Sequence, residues 1–129
     1  LFPFKTAKAL DDFGGQWGKF RTKNELPVGI SRYYKSRAQK HTKAVKKNEY
    51  IPFYLGKATN IKQRVIEHLC GSSDSNTYSL KLKSRPEIIK NLEFKISYIA
   101  LNINDDAYFG VELLERELRE VLNPIIGKQ

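Results

Sequence analysis

Arg64 and His68 stand one helical turn apart in the stretch FYLGKATNIKQRVIEHL, residues 53–69. On a helix that spacing puts them on a shared face, beside an apolar stripe of Ile61, Val65 and Leu69 rather than opposite it. An arginine so placed can offer a planar fork to a phosphate. A histidine can relay or donate a proton near neutral pH. The blander alternative is an Arg64–Glu67 ion pair and a histidine satisfied at a core boundary. Lys57 follows Gly56 at the end of a short apolar run, where a glycine lets another group approach the backbone closely. A carboxylate joins them near the C-terminus. At about 100° per residue, Val111, Leu114, Leu118, Val121 and Leu122 form one helical stripe, and Glu115 projects about 20° from Leu122. Glu112 and Glu120 point well away from the stripe, and Glu117 lies off its opposite edge. A carboxylate on a buried face must be paired or bind a cation. The candidates are a metal, or a salt bridge to Arg119 or Arg116.

The charge balance says what such groups would meet. The chain has 129 residues, enough for one domain with a modest core. Lys and Arg number 23 against 14 Asp and Glu, for a net charge of +9 and a pI of about 9.7. That excess points to a polyanionic partner, most often nucleic acid. It is concentrated in KSRAQKHTKAVKK, residues 35–47, where Lys35, Arg37, Lys40, Lys43, Lys46 and Lys47 occur without an acid. We read this run as a contact to a phosphate backbone; the alternative is a solvated face. No segment has the apolar length of a membrane span, and the N-terminus lacks the order of a secretory signal. The chain opens on Leu1, consistent with removal of an upstream portion. The one cysteine, Cys70, excludes a disulfide within the chain and fits a reduced, cytoplasmic setting. It is expected to be a buried, inert thiol.

The elements that must position these residues follow from pattern. Residues 4–13 are weakly helical and close at Gly14-Gly15. Val28–Tyr34 reads as a strand, and Tyr50–Gly56 as a second, with Pro52 marking an edge or an irregular start. Asn60 opens a helix, with Gln63 three residues on completing a capping box. Residues 71–76, GSSDSN, form a loop. Short helical segments are expected near 78–83 and after Pro86. Leu92, Phe94, Ile96, Tyr98 and Ala100 alternate with polar residues in the clearest strand of the sequence. NINDDA is a turn. The final helix runs from about Tyr108 to Leu122, stopped by Pro124 and Gly127. This order predicts an α+β fold: a small three-stranded, mostly antiparallel sheet flanked by helices.

Together the motifs are more specific than any one of them. FYLGKATNIKQRVIEHL resembles the second half of the GIY-YIG nuclease signature, with Tyr54, an aliphatic residue, Gly56, Lys57-Ala58, Arg64 ten residues after Tyr54 and His68 a turn further. SNTYSLKL matches the Ser/Asn-rich loop leading to S-x-x-L, and LEFKISYI the strand that follows. LLERELREVLNP places Glu115 nine residues before Pro124, the spacing of the family's metal-binding glutamate. The resemblance runs from about Pro27 to the C-terminus and is greatest to the small GIY-YIG restriction endonucleases. It divides the chain into an N-terminal helical extension, residues 1–26, and a nuclease domain, residues 27–129, with a basic insertion at 35–49. Two positions depart from the pattern. Ser31 stands where the first half-motif has its tyrosine, and Tyr33, on the same side of a strand, is the residue that could supply the hydroxyl. Gly127 stands where an Asn is usual, with Asn123 as a substitute.

The resemblance implies a metal-dependent DNA endonuclease. Glu115 would hold one Mg²⁺ or Mn²⁺, which binds through one carboxylate, waters and the substrate phosphate. Arg64 would neutralise the phosphoryl oxygens, Tyr54 would sit by the attacking water, and His68 would pass or receive a proton. A free phenol is a poor base at neutral pH, but Lys57, Arg64 and the metal would each favour its charged form. Such a centre cuts one strand, so cutting both calls for a homodimer. The different-class alternative is a basic domain that binds DNA or RNA without cutting it. PEIIKNLEFK resembles the PD-(D/E)xK nuclease pattern, but the gap between its acids is too short to place them on neighbouring strands. No HExxH, CxxC pair or Gly-rich phosphate loop occurs.

Overall fold

A computed structural model of the chain describes residues 6–23, 31–71, 79–90, 92–104 and 107–127. Helix α1 covers Ala7–Lys23. Thr6 starts it, its hydroxyl accepting a hydrogen bond from the Ala9 amide at 3.1 Å. The helix runs through Gly14 and Gly15 instead of closing there. Gly14 is required by packing: the Tyr33 ring lies so close to the helix that a Cβ at this position would overlap it. Leu10, Phe13 and Trp17, on one face of α1, are buried. This helix of the N-terminal extension is therefore joined to the rest by a shared core.

Strand β1, Arg32–Tyr33, pairs antiparallel with β2, Ile126–Gly127. Tyr54 adds an isolated parallel bridge to Ile126, supported by bonds from the Ile125 amide to the Pro52 carbonyl and from the Ile126 amide to the Phe53 carbonyl. The second expected strand is thus held by the C-terminal segment. Proline has no N–H for a continued ladder, and β2 has only two residues to offer. The expected three-stranded sheet is not present among the described residues. Val28–Ile30 lie outside them, as do residues 72–78 of the Ser/Asn-rich loop and part of the NINDDA turn. Residues 92–100 make no ladder with the described residues: Leu92 and Phe94 pack on the core, while Ile96, Tyr98 and Ile99 are exposed. Alternation chose a face, but a ladder needs a distant partner that alternation does not name.

The rest is helical. The basic run forms α2, Lys35–Lys40, and α3, Thr42–Lys46, which bury Ala38 and Val45 and turn their lysines outward. Helix α4 is Ile61–Cys70, and its start is the expected one: the Asn60 side chain accepts from the Gln63 amide at 3.0 Å. The Gln63 side chain does not close the box and reaches Glu67 instead. A 3₁₀ turn, Leu82–Ser84, and α5, Pro86–Ile89, follow. Helix α6 is Tyr108–Leu122, ended by Asn123 in the left-handed conformation. Gly127 does not stop it and is a strand residue.

The core is an aromatic cluster. Phe13, Trp17, Phe53 and Phe94 meet in tilted and edge-on contacts with ring centroids 5.2–6.0 Å apart, closed by Ile51, Leu80, Leu82, Ile125 and Ile126. The Trp17 indole donates to the Ser31 carbonyl at 2.8 Å, and Arg85 lies over its ring at 3.9 Å. Two expectations about burial are corrected. Cys70 is exposed. The stripe of α6 is only partly covered: Val111 and Leu118 are half-buried, whereas Leu114 at 43% and Val121 at 76% are exposed. Among the described residues no helix is long and apolar enough to cross a membrane.

Candidate active site

The charged side of α6 faces the end of the Tyr50–Gly56 segment across a cavity of about 430 Å³. Ser31, Tyr54, Leu55, Gly56, Lys57 and Arg64 line one side, and Glu112, Glu115, Arg116 and Arg119 the other. Tyr54 is fixed from both ends. Its backbone is bridged to β2, and its ring folds back over Gly56, where a Cβ would come within 2.8 Å of the phenol oxygen. The glycine of the motif is there so that the tyrosine can lie across it.

Arg64 comes from the first turn of α4, whose position depends on the Asn60 cap. Its guanidinium donates to Glu67 at 2.9 Å and to the Tyr54 hydroxyl at 3.4 Å. The ion-pair alternative for Arg64 is therefore present, and so is the contact to the tyrosine. Lys57 donates to Glu112 at 2.6 Å, sits 4.0 Å from Glu115 and lies over the Tyr108 ring at 4.4 Å. Burial works against its charge, but the bond to Glu112 and the Tyr108 phenol outweigh it and raise its pKa above the ordinary lysine value. Glu115 accepts from Arg119 at 2.7 Å, the pairing weighed against a metal.

His68 stands behind this group rather than in the cavity. Its ring packs against Tyr54 at 4.7 Å, and its Nδ1 accepts from the Leu80 amide at 2.9 Å. The hydrogen of the neutral ring is thus on Nε2. Burial, and then the nearby Arg64 charge, push its pKa from 6.5 down to about 4. With its acceptor nitrogen engaged and its charge suppressed, His68 positions Tyr54 and is not a ready proton carrier at neutral pH.

Tyr33 is not brought to the cavity. Its hydroxyl donates to the Leu10 carbonyl at 3.2 Å, and burial together with Asp11 pushes its pKa up to about 12. Ser31, which shares its side of an ideal strand, does line the cavity. The ladder starts only at Arg32, so the alternation that would align the two residues does not extend to Ser31. Asn123 is not in this cavity either. It caps α6, accepts from Lys40 at 2.7 Å and donates to the Glu120 and Val121 carbonyls. None of the basic run lines this cavity: Arg37 and Lys40 lie beside Arg116, Arg119 and Asn123 of the α6 end, whereas Lys35, Lys43, Lys46 and Lys47 are exposed.

The sequence pattern missed Glu112, Arg116 and Arg119 as cavity residues. Glu112 is one turn before Glu115 and shares its face, a signal hidden by assigning the apolar stripe to the core. Compared with known proteins, the chain matches no family model, no curated protein and no solved structure.

Could the residues present hold a metal? Among the described residues no group of three or more His, Cys, Asp or Glu side chains is gathered, so a closed protein cage is not formed. Glu115 and Glu112 nevertheless bring two hard oxygen donors to one wall of the cavity. That suits Mg²⁺, which binds through one or two carboxylates and takes its other ligands from water and a phosphate.

Proposed function

We propose that the chain is a metal-dependent endonuclease of the GIY-YIG type that hydrolyses phosphodiester bonds in DNA. The observation that carries this reading is the convergence of Tyr54, Lys57, Arg64 and Glu115 on one cavity from three separate elements, as the motif spacing requires. Arg64 would bind the non-bridging oxygens of the scissile phosphate and stabilise the charge that grows on them. The Tyr54 hydroxyl, already in contact with Arg64, would orient the attacking water. Lys57 would add a second positive charge and hold Glu112 in place. Glu115, with Glu112 beside it, would hold Mg²⁺ or Mn²⁺, which supplies charge stabilisation at the phosphate and an activated water. Two copies of the chain would be needed to cut both strands.

The test is conversion of supercoiled plasmid to nicked circles with Mg²⁺ and with EDTA. Wild-type protein is expected to nick only with metal. Glu115→Gln is expected to abolish nicking while binding of a duplex, measured without metal, persists. Full activity in that variant would place the metal elsewhere. A second reading is favoured by the pairing of Glu115 with Arg119 and of Arg64 with Glu67: a basic domain that binds nucleic acid and leaves it intact. Duplex binding without any metal-dependent nicking by wild-type protein would establish it.

A further inference from the structure

A second cavity, of about 510 Å³, opens between α2 and the C-terminal half of α6. Arg37, Lys40, Arg116, Arg119, Glu120 and Asn123 line it, four cations against one carboxylate. It shares Arg116 and Arg119 with the cavity that holds Tyr54 and Arg64. The two hollows therefore lie on either side of one arginine wall.

Two of its cations, Arg37 and Lys40, are held in place by their neighbours. The Arg37 guanidinium lies over the Tyr34 ring at 4.2 Å, and its Nη1 is buried with no hydrogen-bond partner among the described residues. Stacking holds the planar fork in place and leaves the Nη1 donor without a bond, which limits the freedom this arginine loses on meeting a phosphate. Lys40 is steadied by the Asn123 side chain. His41 donates to the Asn123 carbonyl at 2.9 Å, which ties the α2–α3 junction to the end of α6. Arg116 is exposed, with Glu117 3.7 Å away as a loose surface partner. Arg119 reaches Glu115 through one nitrogen, and a guanidinium has further donors to offer.

We propose that this cavity binds a phosphate flanking the scissile one on the same strand, gripped by Arg37 and Arg116. It rests on the phosphodiester reading of the Tyr54 cavity and adds to it a fixed register: a strand seated in both hollows can present only one bond to Arg64. Glu120, the one carboxylate of the lining, disfavours a second anion there. The exposed lysines of α3 contribute attraction without register.

A short duplex with one neutral methylphosphonate, moved position by position, tests the pairing without metal or cleavage. At one position the wild-type affinity should fall about tenfold or more, the loss expected for a charge-assisted hydrogen bond. The Arg37→Gln/Arg116→Gln variant should bind the unmodified duplex more weakly and show no further loss at that position. Equal losses for variant and wild type at every position overturn the subsite, as does the absence of duplex binding at low salt. Inorganic phosphate as competitor is the other arm. Displacement by millimolar free phosphate, sensitive to Arg37→Gln but with no methylphosphonate coupling, makes the cavity a site for small anions and overturns the proposal. Coupling without nicking leaves the subsite standing and removes the nuclease reading. Arg64-dependent nicking without coupling does the reverse.

Discussion

At the scale of single residues, the cavity divides two tyrosines that sequence spacing leaves as candidates for one role. Tyr54 has its hydroxyl beside Arg64, and Tyr33 uses its hydroxyl on the Leu10 carbonyl. Arg64→Ala is expected to lower single-turnover cleavage by about 10²–10³-fold, or about 3–4 kcal/mol, the loss typical of one preorganised donor. Tyr54→Phe keeps the ring over Gly56 and removes the oxygen, so it should fall nearly as far. Tyr33→Phe should leave the rate alone and cost about 0.5–1.5 kcal/mol in denaturant unfolding, the value of one internal hydrogen bond. Near wild-type rates for both Arg64→Ala and Tyr54→Phe would sink the nuclease reading. Gly56→Ala checks the geometry directly. A methyl group there displaces the Tyr54 ring, so cleavage should fall while duplex binding is kept.

Helices deliver these residues, and their ends matter more than their middles. Helix α4 buries none of its side chains completely, so its place relative to Tyr54 depends on the Asn60 cap and on the bond from the Leu80 amide to His68. Asn60→Ala should cost about 1 kcal/mol of stability and lower cleavage beyond what that loss explains, because Arg64 lies in the first turn. Gly at the same position should recover most of the stability. On α3 and its C-terminal cap, the exposed lysines make a different prediction. Lys43→Gln, Lys46→Gln and Lys47→Gln together should weaken binding to all duplexes alike. They should also reduce the slope of log affinity against log salt by about 0.9 for each phosphate that is no longer neutralised. A sequence-selective weakening would make this helix a base reader.

For the molecule as a whole, α1 is part of the core, and the His68 environment couples the core to the site. Trp17 touches Phe53, Arg85 and the Ser31 carbonyl, so Trp17→Ala should cost about 3–5 kcal/mol and unfold the site together with the fold. His68 sets a pH window. Its folded pKa of about 4 lies below the ordinary 6.5, so the unfolded chain takes up the proton first as pH falls. The stability that His68 contributes is complete above about pH 6.5 and is lost as pH drops through about 4. Thermal unfolding between these limits should show a fall in midpoint that is smaller in His68→Gln. An equal fall in that variant would assign the effect to other groups.

Much of the site can be read from the sequence because it depends on local spacing. Helix periodicity puts Arg64 on a face of α4, the Asn60 side chain starts that helix, and Pro124 ends α6 within a residue or two of where it must end. The excess of positive charge is likewise a property of composition. What tertiary structure decided are the matters that depend on a distant partner. The Leu92–Ala100 alternation joins no ladder among the described residues, since strand pairing is settled by the segment opposite. The apolar stripe of α6 is only partly covered, Val111 and Leu118 being half-buried and Leu114 and Val121 exposed, and which residues meet a partner, as Glu112 meets Lys57, depends on what packs opposite the helix. Tyr33 leaves the site for α1 because Gly14 opens a space for its ring. Each outcome turns on which groups meet across the fold, and spacing along the chain contains no record of that.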